Sequence, residues 1–455
     1  MSPEQIDWLI RVGRDLLSTA VPPESVPPES SPPKQSTTDS QFKLPPLAVQ
    51  LASPRSFAAK MWNTRGLKDW QIALLRQQVE LRWRSRQRFP NPNQWLWTDR
   101  SLSQASDHWS ARFKAALFPP NEMVVDACCG AGADLVALAE RGEVLGIDSD
   151  ASLSNLAQDN ALAHGYRVEV RAAHLPAAWR VEAPWLSIDP DRRTANRSTG
   201  DIARRGAVQG KTLEAQQFSP TVEEVLHMAQ SCAGAVIKLA PATRFSEQLE
   251  ELVDQTCQRI WLGNLGECRQ QLLLTGDLRP SSGRGAVLCE PQQGDTQTVR
   301  GQCETSSFYA DANGSHLPTT DQLRAFIFDL HPTLHAAGLQ VAWAQQHGLT
   351  PLASPHGYFT GETYQRSPWS QGFEVLDVLA WDDRKIRKSL RNHGAGIVEV
   401  KSRSLYPLSM KLDTNACQRR YSRPDGQPLV LLVTRIGRNL KCIIGRRTTE
   451  SFCGV

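Results

Sequence analysis

The sequence has no C-x-x-C pair. Its ten cysteines are scattered over 455 residues, and no Cys/His cluster has zinc spacing. A disulfide scaffold and a structural zinc module are therefore excluded, no metal is expected, and reduced thiols of a cytoplasmic protein are the plain reading. Long apolar runs are also missing. Nothing approaches the roughly 18 residues of a membrane span, and the longest runs, Ala235–Leu239 and Pro428–Val433, are of strand length. The first twenty residues, MSPEQIDWLIRVGRDLLSTA, lack a basic segment followed by an apolar one, so no secretory signal is expected. Cytoplasmic localisation without a membrane partner follows as the expectation.

A large net charge is absent too: the balance is +4. Its distribution is uneven. His356–Val455 holds 17 Lys+Arg against 9 Asp+Glu, while the rest of the chain holds 34 against 38. A basic segment of this kind suits a polyanion such as nucleic acid, and suits a solvated surface equally well on charge alone.

What is present is organised in blocks. Residues 1–20 have the apolar spacing of an amphipathic helix (Ile6, Leu9, Ile10, Leu16, Leu17). Residues 21–54 include VPPESVPPESSPPKQS, whose doubled prolines cannot build a core and read as a linker. Residues 55–118 read as helical, interrupted at Pro90 and Pro92, with a second helix at 103–117. Arg76, Arg82, Arg84, Arg86 and Arg88 interleave there with Leu74, Leu75, Val79, Leu81 and Trp83, a pattern better explained by amphipathic packing than by nucleic-acid binding.

From residue 119 to 290 strands and helices alternate. Strands are expected near 122–127, 143–148, 166–171, 184–189, 233–239, 257–263 and 270–275, and helices at 133–141, 151–164, 220–231 and 243–255. Such alternation gives a mostly parallel, Rossmann-like α/β sheet. Residues 291–320 read as a linker and 321–455 as a second, basic α+β domain.

The strongest local signal is EMVVDACCGAGADLVALAERGEVLGIDSD. A buried strand ends at Asp126, a tight loop follows, and a helix begins at Ala133. Gly130 and Gly132 can adopt positive φ and let a ligand lie against the backbone. A second strand ends at Asp148, where a carboxylate can accept hydrogen bonds from both ribose hydroxyls of a nucleoside. The spacing D-x-x-x-G-x-G differs from the G-x-G-x-x-G of dinucleotide sites, and Asp126 would repel a pyrophosphate but pair with an ammonium group. The pattern points to S-adenosylmethionine as cofactor in a class I methyltransferase sheet, with Asp126, Cys128, Gly130, Gly132, Asp134, Asp148 and Ser149 as its candidate contacts. No carboxylate follows the third strand (Val170–His174), so adenine recognition stays unassigned between backbone groups and His174.

The fourth strand ends in Ser187-Ile188-Asp189-Pro190-Asp191-Arg192-Arg193. This strand end borders the ligand crevice and occupies the place of the Asn/Asp-Pro-Pro-aromatic tetrad of amino methyltransferases. Asp189 and Pro190 fit that tetrad as candidate catalytic residues; the second proline and the aromatic are absent. Arg192, Arg193 and Lys238, the last at the end of the fifth strand, are candidate substrate contacts. Further basic residues (Arg197, Arg204, Arg205, Lys211) follow in a loop that either holds phosphates or is simply solvated. Asp189 has a plainer reading as a turn cap, which Asp-Pro pairs often supply.

In order along the chain, Asp126–Asp134, Asp189–Arg193, Ser219-Pro220, Lys238–Pro241 and Leu272–Leu278 resemble the motifs of a family of bacterial methyltransferases with a C-terminal THUMP-like domain. So do His331–Leu339, Gly357–Gly361, Ser367–Leu379 and Arg384–Arg403. The resemblance spans roughly residues 70–450. It implies a class I catalytic domain similar to RNA guanine-N2 and adenine methyltransferases, and a domain of a type that delivers RNA to modifying enzymes. An exocyclic or ring nitrogen of RNA is the acceptor it suggests. A small-molecule or protein methyltransferase, or an RNA-binding protein that merely keeps the fold, remains open from the residues themselves.

Overall fold

The computed structural model describes residues 1–20, 62–192 and 213–448, apart from short gaps at 64, 177–178, 182, 265, 280–282, 292–302, 312–316, 353, 355, 405–411 and 438. The whole of the expected linker 21–54, Arg193 and the basic loop after it lie outside the described residues. Contacts divide the chain into two compact units.

The first unit comprises Met1–Gln258, Gln270–Ser281 and Cys289–Glu304. It opens with α1 (Pro3–Trp8), a π-helical turn Leu9–Gly13 and α2 (Arg14–Ala20). Ser2 starts α1 with a capping box, its hydroxyl accepting from the Gln5 amide while the Gln5 side chain accepts from the Ser2 amide. Then come α3 (Asp69–Ser85), α4 (Asp99–Gln104) and α5 (His108–Ala116). The single helix expected over 103–117 is broken because Asp107 acts as an N-cap, its carboxylate accepting from the Ser110 amide at 3.0 Å.

The sheet of this unit follows: β1 (Val124–Ala127), β2 (Val144–Asp148), β3 (Glu169–Ala172), β4 (Trp185–Ile188) and β5 (Gly234–Leu239). These five run parallel in the order β3-β2-β1-β4-β5. The far end of β7 (Glu267–Leu274) pairs antiparallel with β5, Leu272 opposite Lys238. Helices α6 (Ala133–Arg141), α7 (Ala151–Ala163), α8 (Val222–Ala229) and α9 (Glu247–Thr256) connect the strands. Every residue of β1 and β4 is buried, as expected of parallel strands covered on both faces.

Two apolar clusters hold this arrangement. One joins the strands to α8 and α9 through Val125, Leu186, Ile237, Val225 and Val253. The other joins the N-terminal helices to the loop after β1 and to α7, through Leu9, Leu75, Trp97, Ala131 and Leu156. The N-terminal helices are therefore part of the same compact unit as the sheet. Buried Asn160 strengthens the second cluster: its Nδ2 donates to the carbonyls of Leu96 and Ala131, both at 3.0 Å. Its Oδ1 accepts from the Leu96 amide and from Arg14.

The second unit comprises Arg259–Arg269, Ser282–Leu288 and Thr305–Val455. This differs from the boundary expected between 290 and 321. Strands β6 (Gln258–Asn264) and β8 (Arg284–Pro291) pair in parallel, and Trp261, Ala286 and Leu288 pack with Phe328, Leu334 and Trp343. Residues 303–310, expected within a linker, form strand β9 (Cys303–Ala310).

A seven-stranded sheet dominates the rest, in the order β11-β12-β10-β13-β16-β15-β14. Its strands are β10 (Phe326–Leu330), β11 (Thr350–Pro351), β12 (Phe359–Gly361), β13 (Ser370–Ala380), β14 (Ala395–Ser402), β15 (Gln427–Ile436) and β16 (Asn439–Arg447). Helices α10 (Pro332–Ala337) and α11 (Gln340–Gln346) precede its middle, and α12 (Asp383–Asn392) and α13 (Thr414–Tyr421) flank β14 in sequence. Among the described residues, no helix is long and apolar enough to cross a membrane.

Candidate active site

The loop after β1 turns sharply. Cys128, Gly130 and Gly132 all take positive φ, at 58°, 58° and 86°. That conformation is strained for Cys128, and strain of this kind gathers where backbone is shaped around a ligand. A Cβ built on Gly130 would meet nothing within 4 Å, so the space beside it is free for a ligand. Gly132 has another reason to be glycine: a Cβ there would lie 3.2 Å from the Ala157 Cα. It lets α7 approach the loop and does not line open space.

The loop is fastened to the end of β2. The Gly130 amide donates to Asp148 Oδ2 at 2.8 Å, and the Asp150 amide to Asp148 Oδ1 at 2.9 Å. Burial raises the Asp148 pKa, against the opposing pull of these two amides. Ser149 is exposed beside it, and His174 is exposed after β3.

Asp126 is 2% exposed. Its Oδ1 accepts from the Ser187 hydroxyl at 2.9 Å, and its Oδ2 is buried with no hydrogen-bond partner. A buried carboxylate oxygen without a donor is costly, and a ligand ammonium group would complete it. Burial, aided by the charge of Asp134, pushes the Asp126 pKa well up.

Asp134, in the first turn of α6, is differently placed. Burial alone would raise its pKa, but Lys114 and Lys238 outweigh that and hold it below the ordinary value. Its Oδ2 meets Lys114 Nζ at 2.6 Å and accepts from Ser106 at 3.0 Å, while its Oδ1 is buried without a partner. Asp134 is thus half committed to a structural ion pair. The residues present fit S-adenosylmethionine: an unpartnered acidic oxygen for the ammonium group, open space at Gly130, and a carboxylate at the end of β2 for the ribose.

The residues expected on the acceptor side lie at the carboxyl ends of β4 and β5, the same edge of the sheet as the loop after β1. Asp189 forms an ion pair with Lys238, whose Nζ also donates to the Gln104 carbonyl at 3.1 Å. Pro190 is buried. Asp191 is held by Arg100 and accepts from Gln104 Nε2 at 3.0 Å, and its backbone bridges to Ser219. Arg192 is half-buried. Asp189 and Lys238, taken separately from the sequence, are one pair, and the Asp189 carboxylate is engaged by Lys238.

The sequence reading missed Lys114, Ser106, Gln104 and Arg100 from the helical region, and Ser187 from β4. Lys114, Ser106 and Ser187 complete carboxylates that it did identify, whereas Arg100 and Gln104 hold Asp191, which it did not single out. Of these only Lys114 carries a physical signal: a lysine 3% exposed on an otherwise packed helix needs a buried anion.

Residues 370–447 match the family model described as "THUMP domain-like". The chain is similar to an uncharacterized S-adenosylmethionine-dependent methyltransferase of Mycobacterium tuberculosis, found in strains CDC 1551 and H37Rv. Identity is 26% over 351 residues, 76% of this chain and 86% of the relative. A crystal structure of a candidate methyltransferase from Porphyromonas gingivalis W83 superposes with a TM-score of 0.62 at 16% identity, covering 84% of this chain and 92% of the other. The chain thus has the class I fold and the cofactor-loop chemistry of an S-adenosylmethionine-dependent methyltransferase, and carries a THUMP-like domain over its last strands.

Proposed function

We propose that the protein transfers a methyl group from S-adenosylmethionine to a nitrogen of RNA, in the cytoplasm. The observation that carries this reading is the Asp189–Lys238 pair at the sheet edge that also presents the Asp126–Asp134 loop, in a chain whose last strands are THUMP-like. The cofactor supplies an electrophilic methyl group.

The protein's own residues do the positioning. Asp126 takes the ammonium end and Asp148 the ribose end. Lys238 holds one oxygen of Asp189 and so fixes the carboxylate, whose other oxygen accepts an N–H of the acceptor. The Pro190 carbonyl accepts a second N–H, which leaves the nitrogen lone pair directed away from both contacts. Asp189 then takes the proton released by the methylated nitrogen and passes it to solvent. Positioning and fixed charge supply most of such a rate enhancement. Arg192 and Arg193 act on substrate binding.

The test is mass spectrometry of modified nucleosides in RNA from a deletion strain, complemented with wild-type or Asp189→Ala protein. One methylated nucleoside should vanish on deletion and return only with the wild type. In single-turnover assays Asp189→Ala should lose about 100-fold or more in rate with little change in cofactor affinity. Asp189→Ala methylating normally once folded would remove the residue from the mechanism, and an unchanged nucleoside profile on deletion would remove RNA as the substrate.

A further inference from the structure

A cleft opens in the THUMP-like unit between α12 and α13. It is lined by Arg387, Leu390, Arg391, Arg420, Tyr421 and Arg423. Four arginines from two helices and the segment after α13 therefore line one space. Leu390 and Tyr421, 3% and 6% exposed, belong to the core beneath it.

The cluster is arranged and not merely crowded. Asp383, at the start of α12, pairs with Arg387 Nε at 3.1 Å and accepts a hydrogen bond from Arg420 Nη2 at 2.9 Å, both through one oxygen. Its other oxygen accepts from the Tyr421 hydroxyl at 3.0 Å. One carboxylate thus orients two arginines from opposite walls. The segment after α13 is pinned to β14: the Arg423 amide donates to the Gly396 carbonyl at 2.9 Å, and the Val398 amide to the Ser422 hydroxyl at 3.0 Å.

Charge is left over. Among the described residues, neither Arg391 nor Arg423 has a carboxylate partner. Asp382 and Asp413 are engaged as N-caps of α12 and α13, and Asp425 sits in the exposed turn before β15. Four like charges sharing one carboxylate repel one another unless an anion joins them. Guanidinium groups bind phosphate oxygens bidentately.

We infer that this cleft holds backbone phosphates of an RNA, with Arg391 and Arg423 as the direct contacts and Asp383 as the positioning residue for Arg387 and Arg420. The inference rests on the RNA reading above and assigns that reading a location.

The experiment uses the full chain and a fluorescently labelled 30-nucleotide RNA hairpin, with anisotropy titrations at several salt concentrations. R391Q/R423Q removes two charges from exposed positions, and its melting curve verifies folding. Its Kd should rise about tenfold or more, and the slope of log Kd against log salt should fall by about 1.4 to 1.8, the value for two lost phosphate contacts. R391K/R423K should recover most of the affinity. R324Q/R366Q, the same charge change elsewhere in this unit, should stay within about twofold of wild type. Wild-type affinity and slope in R391Q/R423Q, or an equal loss in R324Q/R366Q, would overturn the cleft while leaving RNA as the partner. Absence of any salt-dependent RNA binding by the wild type would overturn the RNA reading, and the cleft with it.

Discussion

Asp126 in the first unit is buried and Asp329 in the second nearly so, with 10% of its side chain exposed, and their surroundings treat the two carboxylates in opposite ways. Asp329 Oδ2 meets Lys401 Nζ at 2.9 Å, and its Oδ1 meets Arg403 Nε. Burial would raise its pKa, but the two cations outweigh it and hold it below the ordinary value. Asp126 has one serine hydroxyl, an orphaned oxygen and a neighbouring acid, and its pKa is driven up. A buried charge with complete partners is a feature of the fold. One with an open valence, beside a positive-φ loop and an empty space at Gly130, is a place for a ligand.

Removing each carboxylate should separate these two roles, and the larger effect on stability is expected in the second unit. Asp329→Ala leaves Lys401 and Arg403 facing each other without an anion. Breaking one side of a fully buried ion pair costs about 3–5 kcal/mol; Lys401 and Arg403 keep 25% and 27% of their side chains exposed, which sets the expected loss at or below the lower end of that range. Denaturant unfolding should show a loss of that size, while calorimetric affinity for S-adenosylhomocysteine stays within about twofold. A variant as stable as wild type would mean that Asp329 is no more structural than Asp126.

Asp126→Asn should behave in reverse. The apo protein should lose little stability, because a poorly solvated acid is replaced by a neutral amide. S-adenosylhomocysteine should bind roughly 10- to 100-fold more weakly, the loss of one charge-assisted hydrogen bond of about 1.5–3 kcal/mol. A second readout follows from the raised pKa. A group whose folded pKa lies above its unfolded value favours folding when protonated, and that contribution is lost as pH rises toward the folded value. Pairing with an ammonium group requires the ionised form, so binding should release a proton in the pH range where apo Asp126 is protonated. Calorimetry in buffers of different ionisation enthalpy detects this, and the release should disappear in Asp126→Asn. Equal proton release in the two proteins would show that another group ionises.

The same contrast explains what the sequence could reveal. The loop after β1 was legible because its signals are local: an apolar run, glycines at fixed spacing, and a helix from Ala133 to Arg141 that the structure reproduces residue for residue. The strands of the first unit's sheet fall close to their expected places for the same reason. Partners distant in sequence were not legible. Lys114 lies 20 residues from Asp134, Ser187 lies 61 from Asp126, and Lys238 lies 49 from Asp189. Helix or strand periodicity places each on a face without saying which charge it will meet. Strand β9 was hidden because its sequence, CETSSFYA, is mostly polar and has few buried residues to show an alternation. The assignment of β6 and β8 to the second unit depends on Trp261 and Leu288 meeting Phe328 and Trp343, a packing choice with no local signature.

The finest test of the comparison is acid titration of the second unit. His331 and His335 adjoin Asp329, and both pKa values are lowered from 6.5 to about 4. Burial is the main cause; Arg403 adds to it and Asp329 opposes it. Their buried Nε2 atoms have no hydrogen-bond partner, so an imidazolium there would gain no acceptor in return for its desolvation. In the unfolded chain both rings take up protons near pH 6.5; in the folded unit they resist until about pH 4. The unfolded state therefore binds more protons across this window, and stability must fall as pH drops from about 6.5 to about 4. Denaturant midpoints measured from pH 7 to pH 4.5 should decline for the wild type, and more shallowly for His331→Gln/His335→Gln. The pH window separates this from Asp329, whose lowered pKa places its own loss of stability further into the acid range. If the double variant declines as steeply as wild type between pH 6.5 and 4.5, the histidines are solvated, and the second unit has an open polar site of its own where the comparison with Asp126 assumes a closed one.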